Sequence, residues 1–148
     1  MSSSALPFRR FLALLAMIAM NIVLRRYGQA HGLSPFMVRL GAGALWAAAI
    51  YFVVALLLRS RPRKQVFIVA AALCALIELS KLSHTPALDI LRLTPVGAGV
   101  LGRIFAWTNF AAYAAALIGA LGLDGLAADG LRNPFRNPFG KTSRGRRR

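Results

Sequence analysis

The 148-residue sequence predicts an all-α protein: a bundle of four transmembrane helices, with a short interfacial helix between the third and fourth spans. Three observations carry that expectation. Hydrophobic residues make up 57% of the chain before its thirteen Gly are counted, whereas soluble domains reach roughly 45–50% with Gly included. Four apolar runs are each bounded by charge. Only four carboxylates stand against nineteen Lys and Arg, a formal net charge of +15. A soluble protein built this way would expose large sticky patches. The hydrophobicity excludes a disordered chain, and the single Cys74 excludes a disulfide scaffold.

The first run, Phe11 to Leu24, lies between Arg9-Arg10 and Arg25-Arg26. Its fourteen residues rise only about 21 Å, short of the roughly 30 Å hydrocarbon core. The flanking arginines can snorkel to the interface while the bilayer thins. A signal peptide is the competing reading, with Gly28-Gln29-Ala30 as its small-x-small cleavage site. Arg25 and Arg26 directly after the apolar run favour a retained span. Leu40 to Leu58 gives nineteen uncharged residues, enough to cross unaided. Val66 to Ser80 is the weakest span, because Glu78 lies in its last turn. Ile104 to Leu123 gives twenty uncharged residues. Between these last two, Thr85-Pro86 reads as the cap and first position of a short helix through Leu93. Ala112, Ala116 and Ala120 in the last span, with Gly43 and Ala47 in the second, should allow close helix contact.

Orientation follows from counting basic residues between the spans. Arg9 and Arg10, the loop with Arg59, Arg61, Arg63 and Lys64, and the seven of the tail (Arg132 to Arg148) make thirteen on one side. The other side has Arg25, Arg26, Arg39, Lys81, Arg92 and Arg103, which makes six. Both termini are therefore expected in the cytoplasm, with residues 1–129 as one membrane-embedded domain. Residues 130–148 are expected to form a basic, disordered cytoplasmic tail, with two Arg-Asn-Pro-Phe repeats. Such a tail rests on anionic headgroups, at about 1 kcal/mol per basic residue near the surface. No interleaved fold that would read bases accompanies it, so no specific nucleic acid is expected.

Little in the chain points to catalysis. Gly97-Ala98-Gly99-Val100-Leu101-Gly102 matches G-x-G-x-x-G, yet no strand precedes it and a span follows, so a close-packed turn is expected rather than a dinucleotide site. His31 and His84 are not spaced as a metal pair, and Cys74 reads as a small apolar residue. No cofactor, metal or catalytic residue is expected. Glu78 stands apart as the one formal charge inside an expected span, and intramembrane ionisable residues are costly enough to mark candidate sites. Lys81 follows at i+3 on the same face. Asp89 and Arg92 sit three apart on the short helix, and Trp107, Asn109 and Tyr113 open the last span. These residues, with Arg103, form the expected polar cluster. Arg92 or Arg103 is expected to outweigh Lys81 as the partner of Glu78, since an Arg fork can bind a carboxylate bidentately. Trp107 and Tyr113 also suit interfacial anchoring.

Several of these stretches resemble a family of small bacterial four-helix membrane proteins of unknown function related to the VanZ-like group. They are Arg39-Leu40-Gly41, Ala44-Leu45-Trp46-Ala47, Glu78-Leu79-Ser80-Lys81-Leu82, and Leu101-Gly102-Arg103-Ile104-Phe105-Ala106-Trp107-Thr108-Asn109 with Tyr113. The resemblance spans Phe8 to Leu123. Gly43 stands where the family usually has an acid, Lys81 where its Glu-x-x-Gln has Gln, and Asn109 where its Trp-x-Asp has Asp. The resemblance implies a role in the cell envelope of the bacterial inner membrane. The expectation is a non-enzymatic protein that binds or organises an envelope component, a lipid headgroup or a cell-surface molecule, through the non-cytoplasmic cluster. Its rival is a small transporter or permease component using Glu78 as an ion site. Membrane lipids, and a second copy or another membrane protein, are the expected partners.

Overall fold

The computed structural model describes residues 5–94, 97, 101, 102 and 104–132, and the regular elements among these are all helices, joined by turns and loops. Five helices follow one another: α1 (Ala5–Tyr27), α2 (Pro35–Leu57), α3 (Arg63–Ser80), α4 (Pro86–Leu93) and α5 (Trp107–Arg132). The 23 residues of α1 rise about 35 Å. Charge-bounded counting undersizes this helix because Arg9, Arg10, Arg25 and Arg26 are all helical; arginine is a good helix former with a long stem. The Gly28–Leu33 turn closes on α1, with Gly28 N–H donating to Leu24 O and Leu33 N–H to Gly28 O. Ser34 then caps α2, its hydroxyl accepting from Met37 N–H at 3.2 Å, and Pro35 supplies the pre-set first position.

Thr85 and Pro86 do occupy the N-cap and first position of α4, but the Thr85 side chain makes no capping bond. The last helix starts at Trp107 rather than Ile104 and continues through Asp124 to Arg132, three residues into the expected tail. Residues 133–148, which hold both Arg-Asn-Pro-Phe repeats except Arg132, lie outside the described residues, as do Arg103 and Ala98 to Val100. The ends of the glycine-rich segment form a turn, Leu101 N–H donating to Gly97 O at 2.9 Å. Gly102 has φ +69°, and a Cβ there would stand 3.0 Å from Lys81 Cε. Glycine is needed here on both counts.

α2 and α5 pack against each other through the middle, and α1 and α3 each touch both of them without touching one another. The core lies along these seams: Ala47, Tyr51, Phe52 and Ala55 of α2, Val66, Ala70 and Cys74 of α3, and Tyr113, Leu117 and Ala120 of α5. Small residues permit the approach, with Ala42, Ala47, Ala55 and Ala70 fully buried. Gly43 faces Tyr113, and Asn21 of α1 donates to Ala42 O of α2 at 2.6 Å. The outward faces are apolar: Phe11, Leu12, Leu15, Ile18 and Ile22 of α1, Ile68, Leu76 and Leu79 of α3, and Ile118, Leu123 and Leu126 of α5 are exposed. Among the described residues three helices, α1, α2 and α5, are long and apolar enough to cross a membrane. α3 has only eighteen residues, and Arg63, Lys64 and Glu78 are among them, so it holds no eighteen-residue stretch with fewer than three charges.

This packing makes the small core residues sensitive to added volume. Ala70→Leu should lower unfolding stability in detergent by about 1–3 kcal/mol through overpacking. Leu57→Ala, at an exposed position, should stay within about 0.5 kcal/mol. Thermal unfolding of the two purified variants checks the difference.

Candidate functional site

Among the described residues, buried charge gathers at two places, one at each end of the bundle. At the α4 end the centre is Glu78, in the last turn of α3 and 0% exposed. Its Oε1 accepts from Asn109 Nδ2 at 2.9 Å and from Ala106 N–H at 3.1 Å. Its Oε2 accepts from Lys81 Nζ at 2.5 Å and from the Tyr113 hydroxyl at 2.7 Å. A carboxylate offers about four lone-pair positions, so all are taken. Asn109 and Tyr113 lie four apart on one face of α5, and Ala106 just precedes that helix. A single carboxylate thereby joins α3, the segment before α5, and α5.

Arg92, one of the two arginines expected as the ion-pair partner of Glu78, is not that partner, and Arg103, the other, lies outside the described residues. Lys81 takes that role, and the reason is local. It is the C-cap of α3 and still has helical backbone (φ −68°, ψ −18°), so the i,i+3 geometry survives. Its stem runs under Gly102, which leaves the ammonium buried against Glu78. Arg92 turns instead to the end of α3: Nη1 donates to Ser83 O at 2.9 Å and to Asp89 Oδ1 at 3.2 Å, and Nη2 donates to Ser80 O. Carbonyls at a helix C-terminus lack intrahelical donors and carry partial negative charge, which suits a guanidinium. α4 is thus fastened to α3 through Arg92.

Of the eight expected cluster residues, the structure brings Glu78, Lys81, Asn109 and Tyr113 into direct contact. Asp89 and Arg92 form a neighbouring pair, with Asp89 also 3.6 Å from His84 Nδ1. Trp107 stands apart: it is 75% exposed and packs on Phe105 and Phe110, with ring centroids 5.0 and 5.7 Å away. The role expected of Arg103 falls outside the described residues. The Trp46 indole Nε1, buried beside Cys74, Ile77 and Tyr113, has no hydrogen-bond partner among the described residues.

The second centre escapes the sequence reading. Arg10 of α1 binds Asp124 of α5 bidentately, Nε to Oδ1 at 2.6 Å and Nη2 to Oδ2 at 2.8 Å. Arg10 Nη1 also donates to Ala55 O of α2 at 2.8 Å, and the Tyr51 hydroxyl reaches Asp124 Oδ2 at 3.3 Å. Both charges are buried, Asp124 to 1% exposure. Asp124 directly follows the run expected to end at Leu123, and Arg10 directly precedes the run expected to begin at Phe11. The available signal was a carboxylate between Leu121 and Leu126 in a chain with only four acids.

The fold and these centres define a small all-helical protein, suited by its apolar helices to a membrane, with charges buried in matched sets at the helix ends. The family described as "Protein of unknown function (DUF2809)" matches residues 33–117, more than half of the chain, and the chain belongs to it. The match runs from before α2 to the middle of α5 and contains the whole Glu78 centre; Arg10 and Asp124 lie outside it. No solved structure matches the chain.

Removing one partner of a buried pair strands the other. Glu78→Gln should cost about 3–5 kcal/mol of stability in detergent. The combined Glu78→Gln and Lys81→Met change should cost less than the sum of its singles. Strictly additive unfolding energies would mean that the two groups do not interact. Asp124→Asn should likewise destabilise far more than Asp89→Asn, since a part-exposed pair is worth about 0–1 kcal/mol. Paired melting curves separate the two.

Proposed function

We propose that the chain is a four-span integral protein of the bacterial inner membrane, with both termini in the cytoplasm, that acts without catalysis. It binds or organises an envelope component, a lipid headgroup or a cell-surface molecule, at the α4 end. One observation carries this reading: the four donors on Glu78 preset the α4 end as a fixed surface instead of leaving a reactive group at hand. α3 serves as the fourth span. Its eighteen residues rise about 27 Å; Arg63 and Lys64 sit at its entry, and Lys81 offsets the charge of Glu78, the costliest group within it. The excess of Lys and Arg at the other end of the bundle supports the orientation.

α4 supports an interfacial position. Ile90, Leu91 and Leu93 are exposed while Arg92 faces the protein, an arrangement that suits a helix lying at the edge of a bilayer. Beside it, Trp107 with Phe105 and Phe110 supplies an aromatic anchor, and Asp89 with His84 supplies exposed polar groups. The rival reading, a small transporter using Glu78 as an ion site, requires the carboxylate to exchange protein donors for an ion. Its full burial and four partners favour the binding role. Kinship with the VanZ-like group rests on the sequence resemblance alone. The tail and its anionic headgroups, and a further copy or another membrane protein as partner, belong to the same proposal.

Topology is tested with single cysteines on a Cys74→Ala background. Cysteines replacing Ser34 and Ser83 should react with an impermeant thiol reagent in intact cells, and those replacing Arg61 and Thr142 should not. Labelling at Thr142 from outside would overturn the orientation. The binding role is tested by identifying molecules that copurify in mild detergent. They should be lost from His84→Ala and Trp107→Ala proteins that still melt like the parent, and their retention in both would refute an α4-face site.

A further inference from the structure

At the end of the bundle opposite α4, a cleft of about 380 Å³ is lined by Leu6, Pro7, Arg10, Arg59 and Ser60. That volume lies within the roughly 300–1,000 Å³ range of small-molecule sites. We propose that this cleft binds the phosphate of an anionic membrane lipid, with Arg59 and Ser60 as its ligands beside the fixed guanidinium of Arg10.

The walls differ in a way that suits such a ligand. Arg10 is immobile: Asp124 and Ala55 O engage three of its five N–H groups. Arg59 is exposed, at the start of the α2–α3 turn, and makes no ion pair among the described residues. Its fork matches phosphate geometry, and charge-assisted bonds of this kind are the strong ones. Ser60 adds a hydroxyl, and a serine O–H donates readily to a phosphate oxygen. Leu6 and Pro7 complete the cleft with apolar surface, against which the glycerol and the upper acyl chain can lie. A free phosphate would gain nothing from those two residues.

The orientation proposed above would put this cleft at the cytoplasmic leaflet, but binding of the phosphate does not rest on it. The full chain in dodecylmaltoside is therefore titrated with short-chain phosphatidylglycerol, phosphatidylcholine or glycerol phosphate, and bound molecules are counted by native mass spectrometry. Phosphatidylglycerol should bind at one saturable site, more tightly than either of the others. Arg59→Gln and Ser60→Glu should each weaken it about tenfold, equivalent to roughly 1.4 kcal/mol. Arg61→Gln, two residues along the same turn and outside the cleft, should leave it within about twofold, far below that tenfold step. Equal losses for Arg59→Gln and Arg61→Gln would replace the site by diffuse surface charge. Glycerol phosphate binding as tightly as the lipid would overturn the lipid assignment. An inverted topology in the labelling experiment would leave all of these results unchanged, so the two proposals fail separately.

Discussion

A carboxylate sealed between apolar helices has to be matched by donors, and the arrangement of this bundle depends on how that demand is met at Glu78. Burying an isolated charge is prohibitive, whereas a paired and hydrogen-bonded charge is tolerable. Here the donors come from Lys81, Ala106, Asn109 and Tyr113. Satisfying the carboxylate therefore fixes the end of α3, the approach to α5 and the first turns of α5 in one arrangement. Apolar packing alone is forgiving about helix rotation; a bond network with every position filled is not.

The same logic operates at the other end with different parts. Asp124 is matched by a guanidinium from α1 and a phenol from α2. Between them the two centres tie all four long helices, α3 and α5 at one end and α1, α2 and α5 at the other. α5 takes part in both, contributing Asn109 and Tyr113 near its start and Asp124 near its finish. Asn109 donates an amide to Glu78, where an aspartate would set a second carboxylate against the first, and Lys81 supplies a charge where Gln would supply a dipole.

Much of this was legible from residue order. Apolar runs between charges mark the long helices, and Glu78 is conspicuous as a lone acid in such a run. Asn109 and Tyr113 share a face by their spacing of four, and the structure uses that face. Glu78 pairs with Lys81 and not with Arg92; an i,i+3 contact is weak on an exposed helix, and nothing in the order of residues shows that Lys81 is covered by the turn at Gly102. Trp107 looks like Asn109's neighbour in sequence, yet two residues along a helix point about 200° apart, and the indole faces outward. Asp124 and Arg10 were hidden by the habit of ending a span at its first charge. Their partnership is a long-range fact, since they stand 114 positions apart.

That separation matters for how the chain is made. Synthesis proceeds from the N-terminus, so Lys81 follows Glu78 by three residues and their pair can close while the segment is still emerging. Arg10 has no such neighbour: its carboxylate partner belongs to the last helix. From α1 onward the growing protein therefore carries an unmatched guanidinium, and matching it waits until Asp124 of α5 has been made, 114 positions later. A chain interrupted before α5 would hold Arg10 without Asp124, and Glu78 without Asn109 and Tyr113. Such a fragment exposes polar groups where a finished protein has none, a physical difference by which quality control in a membrane can tell incomplete chains from complete ones.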